Sequence, residues 1–220
     1  MDKPSKLVVF DLDGTLNRTD LYAVEAHNQA RRELGYPPID PALLISTFGG
    51  RSWDYIKILL PGADENAEQR YLARVAELEQ VYMKSHSAPF DGVPQMLDRL
   101  HAAGCATAVC SNSTQRYIVP VLEHIGIRDR IDYIQSLHPG MSKVETLGLL
   151  LKSLDHPQAV MAGDRSFDLE AARGNRIAFI GCRYGYCAAE VETADFVADS
   201  PEEVGTGALK LLGLLPSIRV

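Results

Sequence analysis

The chain has 220 residues, enough to bury a substantial core as one domain or as a domain with an insertion. Its 46% hydrophobic and 23% charged residues describe an ordinary globular protein, and its net charge of −7 argues against nucleic acid or an anionic membrane as a partner. The four cysteines form neither a C-x-x-C pair nor a zinc pattern, and the apolar run after the N-terminus is too short for a signal peptide or a membrane span. We therefore expect a reduced, cytoplasmic protein.

The first element predicted along the chain is a buried strand from Leu7 to Phe10, in which two residues are β-branched. Two carboxylates one residue apart, Asp11 and Asp13, follow it, and Gly14 then allows a sharp turn. Side chains alternate along a strand, so both carboxylates are expected on one side of its carboxyl end. At ~4 Å their repulsion is roughly 4 kcal/mol at an effective dielectric of about 20, so such a pair is usually offset by a cation or used for chemistry. A polar strand end followed by a turn is the plainer interpretation.

The stretch that follows the first strand predicts helices and no convincing strand. Apolar residues at helical spacing predict a helix from Leu21 to Leu34 and a long helix across Asp64 to Ser85, with Glu and Arg on its other faces. We interpret residues 16–87 as an inserted helical cap domain, and residues 1–15 and 88–220 as the core domain.

In the rest of the chain, strands alternate with helices. The predicted strands run from Cys105 to Cys110, Ile131 to Gln135, Ala159 to Ala162, Ile177 to Ile180 and Asp195 to Ala198. Such alternation predicts a parallel sheet that is covered on both faces. The expected fold class is therefore α/β, with a Rossmann-like parallel sheet, helices on both faces and an inserted all-helical cap.

Polar residues follow four of these strands, and ligands bind beyond the carboxyl ends of strands in such sheets. In chain order they are Asp11 and Asp13, then Ser111 and Asn112, then Lys143 at the start of a helix, and finally Asp164 and Asp168. Taken singly, Ser111 could cap a helix, Lys143 could lie on the surface, and the last two aspartates could occupy a helix N-terminus. Taken together, the groups should meet at one edge of one sheet, which predicts a functional site.

Charge narrows the chemistry of this site. Four carboxylates against one lysine leave a surplus of about three negative charges, and all-oxygen ligands suit Mg²⁺. A magnesium ion, a lysine, a serine hydroxyl and helix N-termini together form a site for a phosphate dianion. A carboxylate close to phosphorus can then act as a nucleophile through an aspartyl-phosphate.

The same residues resemble the motifs of the haloacid dehalogenase-like (HAD) superfamily of phosphohydrolases. The matching segments are Asp11 to Thr15 (D-x-D-G-T), Ser111 to Ser113 (the serine/threonine motif), Lys143 (the lysine) and Gly163 to Asp168 (G-D-x-x-x-D). The likeness is greatest to the phosphoglycolate-phosphatase-like and β-phosphoglucomutase-like branch, whose helical cap follows the first motif. It implies a Mg²⁺-dependent phosphatase of small phosphorylated metabolites, either phosphoglycolate-like or sugar-phosphate-like monoesters.

The resemblance also implies roles for individual residues. Asp11 would attack phosphorus, and Asp13 would protonate the leaving alkoxide and later activate water. Ser111 and Lys143 would hold the phosphoryl oxygens. The metal would be held by Asp11, the backbone carbonyl of Asp13, and Asp164, with support from Asp168.

A further likeness concerns substrate binding. Phe48 to Arg51 lies between cap helices and resembles the substrate-specificity loop of the family. We predict that Gly50 and Arg51 contact the substrate together with Asn112, and that Arg51 reaches an anionic or hydroxyl group of the leaving portion. A solvent-exposed arginine beside a helix start is the alternative.

Some positions depart from relatives within the superfamily. Ala23 stands where β-phosphoglucomutases carry a cap histidine, which disfavours a mutase, and Asp13 argues against dehalogenases, which lack the second aspartate. Lys143 is not in a K-P-x-P context, so its loop is expected to differ. The alternatives to a phosphatase are a phosphomutase of the β-phosphoglucomutase type and a non-catalytic regulator that binds phosphorylated metabolites. A monomer and a dimer are both compatible with the sequence.

Overall fold

A computed structural model describes residues 3–50 and 52–215. Six parallel strands form a single sheet within these ranges: β1 (Lys6–Phe10), β2 (Ala106–Cys110), β3 (Tyr133–Gln135), β4 (Gln158–Gly163), β5 (Ala178–Cys182) and β6 (Phe196–Ala198). Their order across the sheet is β3-β2-β1-β4-β5-β6. The strand that carries the first motif therefore lies near the middle, between β2 and β4.

Strand β1 is buried on both faces. Val8 and Phe10 belong to the hydrophobic core on one face of the sheet, and Leu7 and Val9 belong to the core on the other face. All four side chains are fully buried. A strand that is covered on both faces needs a continuous apolar run rather than an alternating pattern, and this requirement explains the sequence of β1.

Five helices cover the sheet: α5 (Val93–Ala102), α6 (Gln115–His124), α7 (Lys143–Ser153), α8 (Ser166–Gly174) and α9 (Pro201–Leu211). The apolar side chains of α5, α6 and α9 join the core beside Val8 and Phe10. Those of α7 and α8 join the core beside Leu7 and Val9. The predicted α/β fold class, with helices on both faces of a Rossmann-like parallel sheet, is confirmed.

The described residues between β1 and α5 form helices and no strand. These helices are α1 (Asp20–Glu33), α2 (Pro41–Ile45), α3 (Ser52–Leu59) and α4 (Glu65–His86). Helix α1 packs along α4, and the guanidinium of Arg74 on α4 bonds the Glu33 carboxylate at the end of α1. The helical character expected of this stretch is present, and the domain boundaries at residues 16 and 87 stay a prediction. Within the described ranges, no helix is long and apolar enough to cross a membrane.

Candidate active site

The predicted polar residues meet at the carboxyl edge of the sheet. Asp11 directly follows β1, and its backbone N–H donates to the carbonyl oxygen of Ala162 on β4, so the aspartate is held at the strand end. Ser111 follows β2 in the same way, with its N–H bonded to Gln135 of β3. Lys143 is the first residue of α7, whose N-terminus is closed by a capping box at Ser142.

A lysine and three carboxylates form the centre of the site. The Lys143 Nζ lies 2.5 Å from Oδ1 of Asp11 and 2.6 Å from Oδ1 of Asp168. Carboxylate oxygens of Asp11, Asp164 and Asp168 all lie within 4.8 Å of one another, and the three residues are buried. Among the described residues, Asp11 Oδ2 and Asp164 Oδ1 have no hydrogen-bond partner. Unsatisfied buried oxygens are costly, so this donor set fits a hard cation such as Mg²⁺.

The pKa shifts at this centre reflect the burial of its carboxylates and, after that, their repulsion of one another. Burial raises the pKa of Asp11, although Lys143 opposes the shift. Burial, followed by the charges of Asp11 and Asp168, raises the pKa of Asp164 well above its usual value. Burial also raises the pKa of Asp168 to about 6. Burial alone would lower the pKa of Lys143, but the two neighbouring carboxylates raise it. A bound cation would relieve the repulsion that these shifts record.

Gly14 is required by both backbone conformation and space. Its φ of +87° lies in the left-handed region, and a Cβ there would clash with Oδ2 of Asp164. That same oxygen accepts a hydrogen bond of 2.8 Å from the backbone N–H of Tyr186. The glycine of the first motif therefore turns the chain and makes room for the first carboxylate of the acidic motif.

Asp13 is held by a separate network of hydroxyl and amide donors. Its Oδ1 accepts hydrogen bonds from the Thr19 hydroxyl at 2.6 Å, the Tyr117 hydroxyl at 2.8 Å and Nδ2 of Asn17 at 3.1 Å. The Tyr22 hydroxyl lies 2.6 Å from that of Tyr117. Burial raises the pKa of Asp13, and the three hydrogen bonds oppose that shift. Our sequence interpretation missed these donors, and Tyr117 could not be found from local patterns because it lies far from Asp13 in the chain.

Three other residues predicted for the site, Ser111, Asn112 and Gly50, lie around this centre. Ser111 is buried, and its hydroxyl oxygen accepts a 3.1 Å hydrogen bond from the N–H of Ser113. The side chain of Asn112 donates to the carbonyl oxygen of Gly49 at 3.0 Å and so ties the loop after α2 to the sheet edge. Gly50 lines the cleft described next. Arg51 lies outside the described residues, and the substrate-binding roles of all these residues stay predictions.

A cleft of about 250 Å³ opens between the sheet edge and the helices α1, α3 and α4. Asp13 and Tyr117 line it on the sheet side, and His27, Tyr55 and Glu79 line it on the helical side. A group bound in the cleft therefore contacts both parts of the chain. The cleft is large enough for about eight water-sized groups, the scale of a small metabolite.

The sheet is Rossmann-like and brings buried aspartates, a lysine and a serine together at its carboxyl edge. Helices are inserted after the first aspartates. This combination is typical of a hydrolase of the HAD class. The sequence profile of haloacid dehalogenase-like hydrolases matches residues 8–182 of this chain. The chain therefore belongs to that family.

Known proteins are similar over nearly the whole length of the chain. A phosphoglycolate phosphatase from Chromobacterium violaceum is 29% identical, over 92% of this chain and 96% of that protein. An N-acetylmuramic acid 6-phosphate phosphatase from Pseudomonas aeruginosa is 27% identical, over 90% of this chain and 92% of that protein. A solved structure of a predicted phosphoglycolate phosphatase from Haemophilus somnus superposes with a TM-score of 0.83 at 19% identity, covering 93% of this chain and 97% of that one. The predicted enzyme class, a phosphoric monoester hydrolase of the HAD superfamily, is confirmed.

Proposed function

We propose that the protein is a Mg²⁺-dependent phosphatase of small phosphorylated metabolites that works through an aspartyl-phosphate on Asp11. The observation that carries the proposal is the buried cluster in which Lys143 contacts Asp11 while Oδ2 of Asp11 has no hydrogen-bond partner among the described residues. The phosphatase names of the relatives from Chromobacterium violaceum and Pseudomonas aeruginosa support the substrate class.

In the first step, Asp11 forms a bond to phosphorus as the bond to the leaving oxygen breaks. Lys143 bonds Oδ1 of Asp11 and so holds the carboxylate in place for the attack. Its positive charge also stabilises the phosphoryl oxygens, the main requirement of phosphoryl transfer. Asp13 gives a proton to the leaving alkoxide, and the raised pKa that burial causes suits a general acid.

In the second step, Asp13 acts as the base. It takes a proton from the water that attacks phosphorus, the bond between phosphorus and Asp11 breaks, and inorganic phosphate leaves. Only one Asp13 oxygen is engaged by the network of Asn17, Thr19 and Tyr117, so the carboxylate keeps its orientation in both steps. One residue can therefore serve as acid and then as base without moving.

The residues that would hold Mg²⁺ are Asp11, Asp164 and the backbone carbonyl of Asp13, with Asp168 acting through Lys143. The ion supplies positive charge that offsets the carboxylates and stabilises the transferring phosphoryl group. Burial, together with the charges of neighbouring carboxylates, raises the pKa of Asp164 and Asp168, and a cation would favour their ionised forms, which supports the metal assignment.

Hydrolysis is favoured over phosphomutase activity by the residue at position 23. Ala23 is fully buried on α1, and its methyl group can neither donate nor accept a proton. We expect released phosphate rather than a phosphate returned to the sugar. The cytoplasmic location and the monomeric or dimeric state stay predictions.

Phosphate release from a panel of phosphorylated metabolites with Mg²⁺ tests the proposal. Asp11→Asn should reduce kcat by at least about 1000-fold, since loss of a catalytic nucleophile commonly costs more than that. Asp155→Asn is the matched control, because Asp155 forms an exposed ion pair with Lys3. Equal turnover by Asp11→Asn and the parent would overturn the nucleophile assignment, and no turnover by the parent would favour a non-catalytic regulator.

A further inference from the structure

Two polar side chains face each other at the helical side of the cleft. His27 on α1 and Glu79 on α4 both line the cleft that also contains Asp13. Nε2 of His27 lies 3.9 Å from Oε1 of Glu79, which is too far for a direct hydrogen bond. A ligand oxygen beside this pair, off the line that joins the two atoms, can lie within hydrogen-bond distance of both.

The tautomer of His27 follows from its other contact. The Tyr71 hydroxyl lies 2.6 Å from Nδ1 of His27, and Tyr71 is fully buried. We assign the tyrosine as the donor of this bond, because its buried hydroxyl proton needs an acceptor, so that Nδ1 accepts and Nε2 carries the ring hydrogen. The cleft therefore presents an N–H donor from His27 beside a carboxyl acceptor from Glu79. A hydroxyl group satisfies both, because it accepts from one and donates to the other.

Charge at this position disfavours an anionic ligand. Burial lowers the pKa of His27 to about 4, so the imidazole is neutral at pH 7. Burial and the charge of Asp13 raise the pKa of Glu79 to about 8, so this carboxyl is mostly protonated at pH 7 and supplies no positive charge to offset an anionic ligand. Among the described residues that line the cleft, none is lysine or arginine, while Arg51, which follows the cleft residue Gly50, lies outside the described ranges. The nearby Arg31 donates its hydrogen bonds to backbone carbonyls, including that of Pro37 at 2.7 Å.

We propose that His27 and Glu79 form a hydroxyl-binding subsite for the leaving group, so that the enzyme prefers phosphate monoesters of polyhydroxy alcohols to those that end in a carboxylate. This inference rests on the proposed phosphatase function and narrows its substrate class. Phosphoglycolate and other phosphorylated acids are then poorer substrates than the alcohols of the same length.

Matched substrate pairs test the subsite directly. Glycerol 3-phosphate and 3-phosphoglycerate both have three carbons, and they differ in that the first ends in CH₂OH and the second in COO⁻. Glucitol 6-phosphate and 6-phosphogluconate form the same kind of pair with six carbons. For each pair, the measurement is the ratio of kcat/KM for the alcohol to that for the acid, with Mg²⁺ at pH 7. A ratio does not depend on the fraction of active enzyme, so a partly folded variant still gives an answer. For the substrate pair whose chain length the parent turns over faster, we expect the parent to give a ratio of at least about 10.

Three variants assign this preference to the cleft. Glu79→Gln should reduce the ratio at least about fivefold, because it replaces one carboxyl oxygen, which can accept the bond from the ligand hydroxyl, with an NH₂ group that can only donate. Ala76→Lys should also reduce it, since Ala76 is exposed, lines the cleft and lies one turn before Glu79. This second variant changes a surface position and so covers the case in which Glu79→Gln does not fold. Glu77→Gln, on the exposed side of the same helix, should leave the ratio unchanged.

The outcomes separate the two proposals. A parent ratio near or below 1 at both lengths would overturn the hydroxyl subsite, as would ratios for Glu79→Gln and Ala76→Lys within about twofold of the parent ratio. In either case phosphate release itself leaves the proposed function intact. If the parent releases no phosphate from these four esters or from the wider metabolite panel, the proposed function fails and the subsite fails with it.

Discussion

The hydroxyl of Tyr117 donates a 2.8 Å hydrogen bond to Oδ1 of Asp13, although the two residues are 104 positions apart in the chain. Tyr117 belongs to α6, while Asp13 follows β1, so the bond fixes the carboxylate relative to the sheet. The Tyr22 hydroxyl, 2.6 Å away, supports Tyr117 in turn. We regard Tyr117 as a positioning residue for the proposed acid and base.

Replacing this tyrosine should alter the pH dependence of the reaction. The hydrogen bond from Tyr117 lowers the pKa of Asp13 against the effect of burial, so Tyr117→Phe should raise that pKa. We expect kcat to fall about tenfold, as is typical for the loss of one hydrogen bond to a charged group. We also expect a rise in the pKa that governs the pH profile of kcat. Steady-state kinetics between pH 5 and 9 measure both.

Tyr133→Phe is the control for this experiment, since Tyr133 lies on β3 and outside the Asp13 network. Its kcat and pH profile should match those of the parent. A fall in kcat for Tyr117→Phe without any shift of the profile would indicate a merely structural role and contradict the assignment.

Asp164→Asn should have opposite effects on stability with and without Mg²⁺. Burial and two neighbouring carboxylates raise the pKa of Asp164, so removing its charge should stabilise the metal-free protein by at least about 1 kcal/mol. The Tm should then rise by roughly 2–4 °C for a chain of this size. Added Mg²⁺ should raise the Tm of the parent, because it binds the folded state alone, and should have little effect on the variant.

Differential scanning fluorimetry with EDTA or with a Mg²⁺ titration makes the comparison. The Tm order of parent and variant should reverse between the two conditions. A Mg²⁺ response of equal size in both proteins would remove Asp164 from the metal site.

Glu79 should make the stability of the parent depend on pH. Burial raises its pKa from 4.5 to about 8, so the folded state holds this proton more tightly than the unfolded state does. Its contribution to stability is complete below about pH 4.5 and is lost as the pH rises to about 8. Glu79→Gln carries no such group, so its advantage over the parent in the free energy of unfolding should be small at pH 5 and reach at least about 1 kcal/mol at pH 9.

Urea unfolding at a series of pH values measures this difference, with Glu77→Gln as the exposed control on the same helix. A difference between Glu79→Gln and the parent that stays constant from pH 5 to 9 would contradict the raised pKa.

The sequence alone was enough to predict the sheet and the centre of the site. The apolar run of β1 and the two aspartates after it follow from local rules. A strand buried on both faces needs such a run, and ligands bind beyond the carboxyl ends of strands in such sheets, where the two aspartates lie. The regular alternation of strands and helices then places Ser111, Lys143 and Asp164 at the same edge. The short helix α2 was not predicted, since five residues are too few to show a helical period.

Contacts between distant segments were not predictable in the same way. Periodicity correctly predicted α4, but it assigned glutamates such as Glu79 to the polar faces of that helix without showing what those faces oppose. Glu79 lines the cleft because α4 lies across from the sheet edge, a relationship that only the packing of α1 and α4 defines. Tyr117 was missed for the same reason.

The most direct test of the account is to trap the covalent intermediate. Enzyme mixed with a ³²P-labelled substrate and Mg²⁺ is quenched with acid during turnover, digested and mapped by mass spectrometry. We predict label on the peptide that contains Asp11, released by hydroxylamine as expected for an acyl phosphate, and no label on Asp11→Asn. Rapid turnover without label on that peptide, or label that persists in Asp11→Asn, would contradict the central claim.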